Sequence, residues 1–122
     1  MKNETCPFYI GASPGKNRSP EEYKEDGPLS AMADVFSLGN MLYSLVMKEQ
    51  VWEGERSAIV QKKVSDGIFP SIPKEVVLSD AEKAVVHAMR LCHVLKVEDR
   101  SSAMEVEQYL RKKLVEFNVS TF

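Results

Sequence analysis

The sequence is short of the features that mark secreted, membrane-embedded or nucleic-acid-binding chains. Cysteine occurs only twice in 122 residues, at Cys6 and Cys92. A secreted disulfide framework uses more cysteines at closer spacings, so a reducing intracellular location, cytoplasmic or nuclear, is expected. No apolar run approaches the roughly 20 residues that span a bilayer. The opening M-K-N-E-T-C-P-F-Y-I also lacks the apolar stretch of a secretory signal, so no membrane partner is expected. Without such a signal, the N-x-S/T triplets at Asn3, Asn17 and Asn118 carry no weight as glycan acceptors. Charge of one sign is missing as well. Sixteen basic and eighteen acidic residues leave a net charge of -2. They are interleaved rather than clustered, which excludes a nucleic-acid footprint.

The usual chemical constellations are absent too. Gly11-Ala12-Ser13-Pro14-Gly15-Lys16-Asn17 looks like a phosphate-binding loop. Its glycines are one residue too close, Asn17 stands where a magnesium-binding hydroxyl is needed, and no apolar strand precedes it. His87 and His93 do not fall at i, i+4 on one helix face, and with Cys92 they lack the fourth ligand of a tetrahedral set, so no metal is expected. Nothing pairs a histidine with a serine or cysteine in a recognisable nucleophile elbow.

What is present is helical. Charged residues at 28% and apolar ones at 43% are a globular composition, and a chain of this size can bury roughly two-thirds of its unfolded surface. The fold class expected is mainly α, about four helices around a buried central one, with no substantial sheet. The central helix is read at 33–46, where Val35, Leu38, Leu42 and Leu45 recur at steps of three and four. Phe36, Met41, Tyr43 and Val46 lie outside that stripe, so the helix is apolar nearly all round and should be enclosed on every broad face. Residues 1–31 hold four of the six prolines and read as loop, with one helical turn near 21–24. A short helix is expected at 57–66, stopped by Gly67, and the prolines of 67–73 hold an extended connection. Ser79-x-x-Glu82 and Ser102-x-x-Glu105 are capping boxes. The first opens a helix to about residue 95 with Ala81, Ala84, Val85, Ala88, Met89, Cys92 and Leu95 inward; the second opens one with Val106, Tyr109, Leu110, Leu114 and Phe117 inward.

Asp34, in the first turn of the central helix, suits the positive end of the helix dipole. Its neighbours add more. Asp34-Val35-Phe36-Ser37-Leu38-Gly39, running on to Leu42-Tyr43-Ser44-Leu45, resembles the D-V-W-S-L-G-x-x-L-Y-x-L start of the αF helix of eukaryotic protein kinases. Arg18-Ser19-Pro20-Glu21-Glu22-Tyr23 is similar to the A-P-E motif that closes a kinase activation segment. Cys92, with Arg100 eight residues on and then Ser101-Ser102-Ala103-Met104-Glu105-Val106, resembles C-x7-R-P-S/T-A-x-E-V. The resemblance implies a partial protein kinase domain, with 1–31 the end of the activation segment and its loop, 32–117 the helical C-lobe core and 118–122 a tail. It implies a structural ion pair between Glu21 and Arg100, Asp34 as a brace for the catalytic loop, and Arg18 and Ser19 on the substrate side. Glu22 is expected to face water. Ser101 in place of proline, and Lys96-Val97-Glu98-Asp99 without the usual Asp-Pro, depart from the pattern in a loop.

The kinase motifs that do chemistry are not in the chain. G-x-G-x-x-G, V-A-I-K, H-R-D and D-F-G are missing, and phosphoryl transfer needs all of them. No catalytic residue and no cofactor is therefore expected for this chain, ATP and Mg belonging to a complete domain. The partner expected is a protein, as substrate or ligand, with self-association through an apolar face of the central helix that the rest of a kinase would cover. The alternative is a free-standing helical binding module or scaffold derived from such a lobe.

Overall fold

A computed structural model describes residues 16–24 and 31–121, with side chains through residue 117. Cys6, the stretch 11–15, Pro28 and the side chain of Asn118 lie outside the described residues. Among the described residues there are five α-helices and no strand: α1 Pro20–Lys24, α2 Ala31–Met47, α3 Ser57–Ser65, α4 Asp80–Cys92 and α5 Ala103–Thr121, with a 3-10 turn at Val97–Asp99 before the last. The mainly α class is thus the one observed.

Helix α2 is shared by two apolar clusters. Val35, Leu42, Tyr43 and Val46 pack with Val86, Ala88, Met89 and Cys92 of α4 and Val106 of α5. Phe36, one residue round the helix from Val35, packs instead with Tyr23 of α1 and Val60 and Val64 of α3. Its edge also meets the Phe69 ring, with centroids 5.1 Å apart. The third side is open, for Met41 is 68% and Leu45 63% exposed. The expectation of a helix enclosed all round fails there. Periodicity reports which positions are apolar but not how many neighbours the chain has to cover them, and α1 with α3 and α4 with α5 cover only two sides.

The ends of the shorter helices follow their local chemistry. Asp66 caps α3, and Gly67 then turns left-handed at φ 86°. The Ile68 N–H reaches the Lys63 carbonyl at 2.8 Å and the Gly67 N–H that of Val64 at 3.0 Å, the paired bonds of a Schellman stop. At α4 both halves of the capping box form, Glu82 N–H to Ser79 Oγ at 3.1 Å and Ser79 N–H to Glu82 Oε1 at 2.9 Å. These bonds to its ionised form hold the Glu82 carboxyl below the usual range. The box at Ser102 and Glu105 closes in the same way, at 2.8 and 3.2 Å.

Three details differ from the pattern. Helix α4 ends at Cys92 rather than near 95, because the Val94 carbonyl accepts from the Arg100 guanidinium, at 3.0 and 2.8 Å. Its inner face is rotated slightly, with Val86 buried and Ala81 exposed. On α5 only the first turns are inward: Val106 is 1% exposed but Leu114 59%, and the helix runs past 117 to Thr121.

Candidate functional site

The site begins with a proline. Pro20 has its φ preset for the first position of a helix, where its missing N–H costs nothing. Ser19 before it is the residue whose groups the helix must satisfy. Glu22 does so, its Oε1 accepting from the Ser19 N–H at 2.7 Å and from the Ser19 hydroxyl at 2.9 Å. Its Oε2 takes Arg18 Nη1 at 3.2 Å. Glu22 therefore does not face water as expected: its side chain is 13% exposed and holds the start of α1 together. Ser19 is fully buried, so its hydroxyl is not offered to a substrate. Arg18, at 38%, remains reachable.

Glu21, the next carboxylate, meets Arg100. The guanidinium forks onto it with Nη1 to Oε2 at 2.9 Å and Nη2 to Oε1 at 3.0 Å, and the Arg100 side chain has no exposed surface. Nη1 also donates to the Met32 carbonyl at 2.7 Å, Nε to that of Val94 at 3.0 Å, and Nη2 to that of Val94 at 2.8 Å. All five N–H groups are thereby used. The Phe36 ring lies 5.2 Å from the guanidinium carbon. A buried charge with every donor placed is a joint. It ties α1, the start of α2 and the turn after α4 to one side chain.

Asp34 lies exposed on the first turn of α2. The catalytic-loop motif that it would brace is not in the sequence, and the structure does not bring it to Glu21 or Arg100 through any contact among the described residues.

Three buried or bridging polar residues, Lys16, Asn40 and His93, take roles that no motif assigned to them. Lys16 donates to the carbonyls of Trp52 and Glu55, at 3.1 and 3.0 Å, fastening the segment before α1 to the loop before α3. Asn40, buried on α2, donates from Nδ2 to the Asn17 carbonyl at 3.2 Å. Its Oδ1 meets Nε2 of buried His93 at 2.9 Å. Spacing could not have paired residues 53 apart, but an asparagine inside an otherwise apolar helix was a signal that a partner must exist. Burial, with the like charge of Arg100 second, pushes His93 down to about 4. Burial pushes the Cys92 thiol up to about 11, which leaves it unreactive.

Beside this relay a groove of about 600 Å³ runs along the open side of α2, lined by Asn17, Asn40, Met41, Ser44 and Leu45. Among the described residues no three His, Cys, Asp or Glu side chains gather as a metal set, and no helix is long and apolar enough to cross a membrane. No protein-family model and no curated protein matches the chain. The functional reading rests on its own residues.

Proposed function

We propose that the chain is part of a protein kinase C-lobe, the helical platform on the acceptor side of ATP-dependent phosphorylation of protein hydroxyls, and that it is catalytically incomplete by itself. The observation that carries this is the Glu21–Arg100 fork. Two of the three stretches that resemble kinase motifs meet through one buried, fully satisfied ion pair, between residues 79 positions apart. Independent surface charges would have no reason to do so. On this reading Arg18 lies toward the acceptor peptide, while ATP and Mg are held by residues outside this chain.

A second reading, a free-standing helical module that binds a protein, is favoured by the open Met41 and Leu45 side of α2. One measurement tests the first reading and a second separates it from the module. Titration calorimetry of the purified chain with Mg-ATP should show no binding, and micromolar affinity would overturn the reading. The transcript upstream of Met1 should continue in frame through H-R-D and D-F-G, and the longer product should phosphorylate protein. An in-frame stop there would instead favour the module.

A further inference from the structure

His93 closes α4 in a tight place. Its ring lies against Phe36 and Phe69, with centroids 4.6 and 5.8 Å away. It stands so close to Gly39 that a Cβ there would come within 2.6 Å of its Cδ2. The Asn40 relay fixes where its proton is. The Asn17 carbonyl can only accept, so the Asn40 amide turns its nitrogen to Asn17 and its oxygen to His93. The ring must then carry its hydrogen on Nε2. Nδ1 is left as a bare lone pair, buried, with no partner among the described residues.

A second proton would land on that atom. It would make a donor with nothing to donate to, in a ring packed among Phe36, Gly39 and Asn40 of α2, Phe69 after α3, and Arg100. Of these only Arg100 is charged, with the same sign as an imidazolium, and its donors are already committed. The adjacent Cys92 thiol stays neutral.

We propose that His93 and Asn40 form a proton-sensitive latch holding the 16–19 segment against α2, closed while the ring is neutral and opened by one proton. Opening lets the ring reach water, breaks the bond to Asn40 and frees the Asn17 carbonyl, just ahead of Ser19 and the start of α1. Nothing in this depends on the kinase reading. In the closed state the ring binds its proton only near pH 4, and in the open state near its ordinary 6.5. Between those values the open form holds one proton more. Well inside that window each unit fall in pH raises its population by up to tenfold, and from pH 6.5 to 4 the rise is about 80-fold.

Amide hydrogen exchange, corrected for the intrinsic pH effect, and ring-nitrogen NMR of the intact chain test this between pH 7.5 and 5.5, above the ordinary carboxylate range. The ring should show the Nε2–H tautomer with no titration midpoint above 5. The Ser19 amide should be less protected than that of Met89 inside α4, and its protection should fall about fivefold from pH 6.5 to 5.5. In His93→Gln, whose amide donates but does not titrate, that fall should vanish. A ring midpoint near 6.5 would overturn the latch, as would Ser19 and Met89 protected equally, or a fall that persists in His93→Gln. If His93→Gln does not fold, the ring titration and the Ser19 comparison in the unaltered chain still decide.

Discussion

Arg100 holds several parts of the structure at once, since its loss would strand the Glu21 carboxylate and take a donor from the Met32 and Val94 carbonyls together. Arg100→Ala should cost about 3 to 5 kcal/mol. Arg100→Lys should recover only part of this, because an ammonium cannot fork. Urea denaturation of Glu21→Ala, Arg100→Ala and the double variant should give losses that do not add, since with one partner gone the second is an isolated charge. Glu22 is no neutral control, being bound to Ser19 and Arg18; exposed Glu98 is, and Glu98→Ala should change stability by less than about 0.5 kcal/mol. His93 makes a separate prediction in pH. Its folded value, about 4, lies below the ordinary 6.5, so its contribution is complete above pH 6.5 and is lost as pH falls toward 4. The slope is about 1.4 kcal/mol per pH unit, roughly 3 kcal/mol in all. Denaturation at pH 7.5, 6.5 and 5.5 should show little change over the first step and a loss of about 1 kcal/mol over the second in the unaltered chain, and a flatter line in His93→Gln. The ion pair was legible in the sequence because two motifs flank it. The Asn17–Asn40–His93 relay was not, because its members share no motif and no helix.

Helices α2 and α4 approach closely only because position 39 has no side chain. Alanine there would favour the helix by about 1 kcal/mol in isolation. Its Cβ, however, would fall 2.6 to 2.8 Å from the His93 ring and Cys92 Cβ. Gly39→Ala should therefore be net destabilising, by about 1 to 3 kcal/mol in chemical denaturation. An exposed helix glycine would give the opposite sign. The elements themselves were readable to within a few residues, from period and caps: 33–46 was expected for α2 and 57–66 for α3, against Ala31–Met47 and Ser57–Ser65. Where reading failed, a distant group had intervened. The end of α4 is set by Arg100 taking the Val94 carbonyl, and no property of 93–95 announces that. Leu114 satisfies the period of α5 yet stays exposed, on the wall of an open groove that it shares with Leu38 of α2.

At the scale of the whole molecule, α2 is a core helix with one wall missing. Met41 and Leu45 on that side should bind a hydrophobic dye and promote self-association, seen as concentration-dependent mass in sedimentation. Met41→Lys with Leu45→Glu should abolish both while shifting stability little, and a dye-silent monomer before substitution would refute the expectation. The Glu21–Arg100 joint has a consequence for biosynthesis. Its halves are 79 residues apart, and a ribosome adding about 5 to 20 residues per second needs roughly 4 to 16 seconds to supply the second after the first. During that interval α1 can rest on α3 through Tyr23, Val60 and Val64 once they emerge, but its carboxylate has no counter-ion. The seating of α1 is thus completed by a residue translated 79 positions after its partner, and a nascent chain arrested before Arg100 would expose α1 to proteases however well α2 and α3 had formed.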